Sequence, residues 1–272
     1  GIVVYLLEDH SLPIVRGTAY AKASPTWIPD SKLGLGAMTG ELMRSGGTAA
    51  HPGDWLDDHL AGLGASVTSS YDGSEQASVG FRSLSDNATE VVGLWAGVMR
   101  APAFPEDKLE LSKVGLRRAI SERNDDMFSV LARVAREAIY GKGSVWARYP
   151  EYATVEAVTR DDCDGLHRKI FQPGHIVLAI YGDFSSQAML RLLEAKLGDW
   201  KDAGLTVPPT PPVPTDAKPR LVFAPKQDVT QSGIVVAHVG FRADDPDYPS
   251  MDVYQIALGG GFISVGFLNG MD

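Results

Sequence analysis

The segment that decides the fold is GLGAMTGELMRSGGT, residues 34–48. Its apolar side chains, among them Leu35, Met38 and Leu42, recur at intervals of three and four residues, the spacing of one helix face. The glycine pair near its end is typical of a helix C-cap, because glycine adopts the left-handed conformation without a steric penalty. The segment therefore predicts a short amphipathic helix that buries one face and ends in a turn.

Strand and helix patterns alternate on both sides of this helix. Alternating apolar residues predict one hairpin from residues 2–7 and 14–23, and a second from residues 65–71 and 77–81. Three-and-four spacing predicts helices over 55–63, 91–99, 105–120, 130–139, 161–170 and 187–197, and an apolar run predicts a strand at 175–181. Hairpins followed by strands that are separated by helices predict an α+β fold, with a mixed, largely antiparallel sheet covered by helices.

A proline-rich segment divides the chain. Six prolines lie between residues 203 and 219, and their fixed φ angles and missing N–H donors exclude a helix or a central strand there. We therefore predict a first domain over 1–202, a linker over 203–219, and the start of a second, similar unit over 220–272. Strands at 220–224 and 233–241 and a helix at 248–258 would begin that unit, which we expect to be truncated.

Composition narrows the classes of function. The chain has 272 residues, of which 44% are hydrophobic, and a formal net charge of −9 with scattered Lys and Arg, which argues against a nucleic-acid partner. Its longest apolar runs have the length of a strand, so we expect a soluble protein without a membrane span. A single cysteine, Cys163, excludes an internal disulfide and a cysteine-built metal site. The bacterial periplasm and cytoplasm both remain open as compartments.

Several segments, in order and along nearly the whole chain, resemble peptidase family M16, the insulinase and mitochondrial-processing-peptidase family. The segments that carry the resemblance are Leu7–Pro13, Gly34–Thr48, Leu63–Val67, Ala101–Pro105, Thr159–Asp162 and Val177–Phe184. The resemblance implies the M16-type metallohydrolase-like αβ sandwich, with residues 34–48 as the family's signature helix. Ala101 departs from the family pattern, which has Asn at that place.

Active members of the family carry His-x-x-Glu-His on this helix, where two imidazoles four residues apart share a helix face and hold one zinc ion. The Glu acts as the base on zinc-bound water, and a carboxylate on a later helix is the third ligand. The resemblance aligns Met38 and Leu42 with the two histidines, Glu41 with the base and Ala119 with the third ligand. Since none of the three ligand positions carries a zinc-binding side chain, we identify the chain as the inactive-domain type, with no cofactor of its own.

Other candidate sites have simple structural interpretations. A surviving base at Glu41 would need a metal-bound water, so a solvated helix position is favoured. His51 and His59, with Asp54, Asp57 and Asp58 between them, could hold a metal ion, although an acidic helix with a half-buried His59 explains them as well. Cys163 lies among aspartates that disfavour a thiolate. The group Glu8, Asp9 and His10 fits a solvated turn.

The resemblance implies a chamber of two halves that encloses a peptide or unfolded polypeptide. The halves are separate subunits in some members, and only one of them then carries zinc. The strand after the signature helix pairs with substrate in active halves, and the matching residues here are Ala65, Ser66, Val67, Thr68 and Ser69. We therefore predict a non-catalytic partner in a heterodimer with an active M16 subunit, or self-association. The alternatives are a scaffold subunit without a role in proteolysis, and an enzyme with its chemistry elsewhere.

Overall fold

The structure, a computed structural model, describes residues 1–213, 219–226, 232–237, 239–242 and 244–259. Its strands are β1 Val3–Glu8, β2 Ile14–Lys22, β3 Ser66–Ser70, β4 Gln76–Leu84 and β5 Ile176–Gly182. Its helices are α1 Leu35–Ser45, α2 Gly53–Gly62, α3 Ala88–Arg100, α4 Glu106–Glu122, α5 Met127–Tyr140, α6 Tyr152–Glu156, α7 Arg160–Ile170, α8 Ser186–Leu197 and α9 Tyr248–Gly259.

The five strands form one mixed sheet in the order β1-β5-β2-β4-β3. Only the β1–β5 pair is parallel, and the other pairs are antiparallel, so the predicted fold class is confirmed. The hairpin predicted from β3 and β4 forms. The hairpin predicted from β1 and β2 was wrong, because β5 lies between these two strands and pairs with both.

Helices cover one face of the sheet, and the core lies between the two layers. On β2 and β4 the buried residues alternate with exposed or half-buried ones, as expected for a sheet with one covered face. Trp95 of α3 is fully buried against β4, where its Nε1 donates to the Val79 carbonyl (2.8 Å) and its ring lies 5.1 Å from that of Phe81. Because the indole N–H is paired, the large ring is buried without the cost of an orphaned donor.

Helix α1 lies unusually close to the chain after β3. A Cβ atom on Gly40 would lie 2.2 Å from the Tyr71 backbone nitrogen, and one on Gly36 would lie 2.7 Å from that of Gly73. The Ser69 hydroxyl also donates to the Gly40 carbonyl (2.5 Å). Glycines four residues apart on one helix face thus let the helix backbone touch the backbone of the β3–β4 connection.

The chain divides into two compact units. One consists of Gly1–Arg117 and Pro150–Thr210, and the other of Arg118–Tyr149 with the described residues from Pro211 onward. The proposed domain limits at 202 and 219 stay predictions. The strands predicted at 220–224 and 233–241 do not form in the parts of these segments that the structure describes, since a strand without a partner is not stable. His238 and residues 260–272 lie outside the described residues.

None of the helices in the described parts of the chain is long and apolar enough to cross a bilayer.

Candidate functional site: helix α1 and the edge strand β3

The two α1 positions aligned with zinc-binding histidines belong to the core. Met38 is 0% exposed and Leu42 is 1% exposed, so both side chains are buried. The helix presents this face because its apolar residues recur at helical spacing. The sequence-derived prediction placed both residues on one face, and the structure brings them together there.

Glu41 lies on the exposed side of α1 and has a specific partner. Its Oε2 accepts a hydrogen bond from Ser112 Oγ of α4, at 2.5 Å. Sequence reasoning missed this contact, because the two residues are 71 positions apart and no local pattern connects them. The bond ties α1 to α4, which gives the carboxylate a structural role that needs no metal.

The side chains at the aligned positions do not fit a zinc ion. Zinc sites in proteins use imidazole, thiolate and carboxylate donors, whereas these positions offer a buried thioether, a buried isobutyl group and an exposed methyl group on Ala119. Only Glu41 has a suitable donor atom, and it already accepts from Ser112. Throughout the described ranges, no group of three or more His, Cys, Asp or Glu side chains could hold a metal ion.

The alternative pair, His51 and His59, is separated by an aromatic ring. Trp55 stacks on both imidazoles, with centroid distances of 4.4 Å to His51 and 4.3 Å to His59. His59 Nε2 in addition lies 2.6 Å from Glu90 Oε1. Because the indole fills the space between the two imidazoles, they do not converge on a common ion.

Strand β3 lies at one end of the sheet, as a peptide-binding strand would. The predicted segment 65–69 overlaps the observed strand Ser66–Ser70, which pairs only with β4 in the described part of the chain. The Val67 carbonyl accepts from Arg44 Nε of α1 (3.0 Å), a donor outside the sheet. The N–H and C=O groups of Ser69 point to the same side of the strand as those of Val67, because residues two apart on a strand share an orientation. The free edge therefore has main-chain groups beside helix α1.

A polar cluster lies just beyond the C-terminal ends of β1, β4 and β5. His10 Nδ1 lies 2.6 Å from Asp183 Oδ1, and Ser85 Oγ donates to Asp183 Oδ2 at 2.7 Å. The hydrogen bond to Asp183 raises the pKa of His10 and lowers that of Asp183. The Asp9 carboxylate, by contrast, only caps its own turn through the Ser11 N–H (3.0 Å). Serine and histidine both bind the aspartate rather than each other, so the cluster lacks the order of a nucleophilic triad.

Cys163 lies in the core at the start of α7, and the structure corrects the reason for its inertness. Burial is the largest cause that raises the pKa of its thiol, to about 11, and nearby Asp162 contributes less. The side chain is 0% exposed. A protonated, inaccessible thiol is a packing residue.

The chain is similar to known proteins in sequence and in fold. The family profile described as the peptidase M16 inactive domain matches residues 157–269. A comparison with curated protein sequences found no match. Among solved structures, the peptidase M16 inactive domain from Pseudomonas fluorescens is similar, with a TM-score of 0.74 and 20% identity over 95% of this chain and 62% of that chain.

Two other solved structures share the fold at lower identity. A protease from Helicobacter pylori has a TM-score of 0.65 and 17% identity over 79% of this chain and 52% of that one. The periplasmic protease PqqL from Escherichia coli has a TM-score of 0.66 and 16% identity over 79% of this chain and 24% of that one. The present chain thus spans less than two thirds of these proteins. The sequence over 157–269 and the fold over nearly the whole chain confirm the resemblance to peptidase family M16, of the inactive-domain type.

Proposed function

We propose that this protein is the non-catalytic half or subunit of an M16-type zinc endopeptidase, which encloses a peptide together with a partner that bears His-x-x-Glu-His. The observation that carries the proposal is which residues helix α1 has at the positions aligned with the zinc ligands. The helix keeps its place in the fold, but its two ligand positions are the buried, apolar Met38 and Leu42. A half with this core cannot supply the zinc-bound water that peptide hydrolysis in this family needs.

The edge strand supports a role in holding substrate. In the described part of the chain the outer edge of β3, next to α1, pairs with no other strand, and an extended peptide can join such an edge through main-chain hydrogen bonds. Main-chain pairing tolerates many sequences, which suits the binding of a peptide or unfolded polypeptide. Zinc would then be needed only in the partner.

The proposal predicts that proteolysis requires both subunits. The chain is mixed with the His-x-x-Glu-His-bearing M16 protein of the same organism, and cleavage of an unstructured fluorogenic peptide is followed with and without a chelator. We expect chelator-sensitive cleavage by the mixture, at least about tenfold faster than by the partner alone, because the closed chamber orients the peptide. An unchanged rate would contradict the proposal and favour a scaffold role.

A matched pair of variants tests the edge strand in the same assay. Ser69→Pro removes an N–H that we expect to face the free edge, where proline is tolerated in strands, and Ser69→Ala keeps it. We expect the proline variant to slow cleavage by about tenfold and the alanine variant to retain most of the rate. Equal rates for the two variants would exclude strand addition at β3.

A further inference from the structure

The second face of the sheet, away from the helix layer, carries exposed aromatic and basic side chains. Tyr5 of β1 is 64% exposed, Tyr181 of β5 is 47% exposed and Tyr20 of β2 is 42% exposed. They alternate along their strands with residues that are buried on β2 and β5 and half-buried on β1, which places them on the face away from the helices. Exposed apolar area of this kind, concentrated on one face, is typical of an interaction surface.

Two arginines stand directly opposite each other at the centre of this face. Arg16 of β2 pairs in register with Arg82 of β4, and Tyr181 of β5 is the next residue across the sheet from Arg16. Like charges at directly opposed positions destabilise an antiparallel pair.

Among the residues that the structure describes, neither arginine forms an ion pair. The side chain of Arg16 donates there to the Tyr181 hydroxyl, at 3.5 Å. Other arginines of the chain do have such partners, for example Arg118 with Glu122 and Arg168 with Asp164. Two adjacent guanidinium groups without an acidic partner in the described residues have N–H donors that can bind carboxylates.

The middle of the neighbouring row across the sheet is made of small residues. Thr18 of β2 stands between Ala179 of β5 and Gly80 of β4, and Tyr5 of β1 is the partner of Ala179 on its other side. Arg16 and Tyr20 belong to the rows on either side of Thr18, and their side chains are longer than those of the small residues. An extended chain that lies along the small residues can place its side chains against both.

We propose that this face binds an acidic, extended polypeptide segment, whose carboxylates pair with Arg16 and Arg82 and whose apolar side chains pack on Tyr20 and Tyr181. Bidentate pairing of a guanidinium with a carboxylate supplies the selectivity for acidic over neutral segments. Arginines and aromatic rings on a sheet can also bind a nucleic acid, so an oligonucleotide is the competing occupant that the test distinguishes. The surface lies on the sheet face and not at the free edge of β3, so it does not depend on a role in proteolysis.

Fluorescence anisotropy with the 272-residue chain tests the proposal. The probe is the fluorescein-labelled peptide Gly-Leu-Glu-Phe-Glu-Leu-Glu-Gly, compared with the same peptide carrying Gln in place of Glu and with a labelled oligouridylate. We expect the acidic peptide to bind about tenfold more tightly than the Gln peptide, with the difference reduced by salt. Equal affinities, or tighter binding of the oligouridylate, would overturn the proposal.

Charge-matched variants distinguish binding at Arg16 and Arg82 from a general effect of net charge. The double substitution Arg16→Gln and Arg82→Gln should abolish the preference for the acidic peptide. The control, Arg118→Gln with Arg168→Gln, removes the same charge from exposed helix positions and should keep the preference. An equal loss of the preference for the acidic peptide in both variants would show a non-specific charge effect and contradict specific binding at Arg16 and Arg82.

A stability measurement excludes a merely structural role for the arginine pair. Because the two charges repel each other, Arg82→Gln should leave the thermal unfolding midpoint unchanged or raise it. A lower midpoint together with an unchanged peptide affinity would show that the pair supports the fold instead of binding a ligand. Failure of these binding tests would leave the proposed pairing with an active subunit untouched, since that rests on α1 and β3.

Discussion

Gly40→Ala should destabilise the protein by about 3 kcal/mol or more, the largest effect expected of any single methyl group in α1. The added Cβ would lie 2.2 Å from the Tyr71 nitrogen and 2.8 Å from the Tyr71 oxygen. Both are backbone atoms, so no side-chain rotation relieves the clash, and the helix must move away from the β3–β4 connection. Urea unfolding followed by circular dichroism measures the loss as a lower midpoint.

Gly115→Ala is the matched control for this substitution. Gly115 lies within helix α4, and a Cβ at that position meets no atom within 4 Å. Alanine is the better helix former, so this variant should gain about 0.5–1 kcal/mol. If Gly40→Ala proved as stable as Gly115→Ala, the close packing of α1 against the chain after β3 would be wrong.

The stability of the protein should fall as the pH is lowered from about 6.5, with His167 as a principal cause. His167 of α7 is 4% exposed, its Nε2 lies 2.9 Å from the Met99 carbonyl, and its ring stacks on Phe171. Burial lowers the pKa of its imidazole from 6.5 to about 4. Between these values the unfolded state binds a proton that the folded state does not. Stability is therefore fully present above pH 6.5 and falls with decreasing pH, by roughly 3 kcal/mol at pH 4.

His167→Gln tests this contribution, because an amide keeps a donor for Met99 but does not titrate. The free energy of unfolding is measured in urea at intervals from pH 7 to pH 5, above the range in which carboxylates are protonated. We expect the free energy of unfolding of the variant to change clearly less with pH than that of the parent chain. His10 acts with the opposite sign and at higher pH, since its pKa is raised. Equal slopes for His167→Gln and the parent would disprove a buried neutral imidazole.

Local sequence patterns were sufficient to predict most of the helices and strands, including α1. The three-and-four spacing in residues 34–48 predicted α1, and the buried Met38 and Leu42 follow from it. Helix α6 was missed, because a segment of five residues is too short to show periodicity. Its capping box, in which Glu151 and Thr154 bond reciprocally, was the available signal.

Strand order and side-chain partners could not be predicted in the same way. The β1–β2 hairpin was expected because consecutive strands usually pair, yet β5 takes the place between them with Ile176, Leu178 and Ile180 all buried. The contacts of Glu41 with Ser112 and of His10 with Asp183 join residues that only the folded sheet and helices bring together. Such contacts depend on tertiary packing, which no local pattern encodes.

The most direct test of a non-catalytic role is the zinc content of the purified chain, measured by elemental analysis after expression with zinc in the medium. Because Met38, Leu42 and Ala119 offer no zinc donor, we predict less than about a tenth of an equivalent of zinc per chain. Stoichiometric zinc that a chelator removes, together with loss of cleavage of an unstructured peptide by the chain alone, would contradict the inactive-half interpretation.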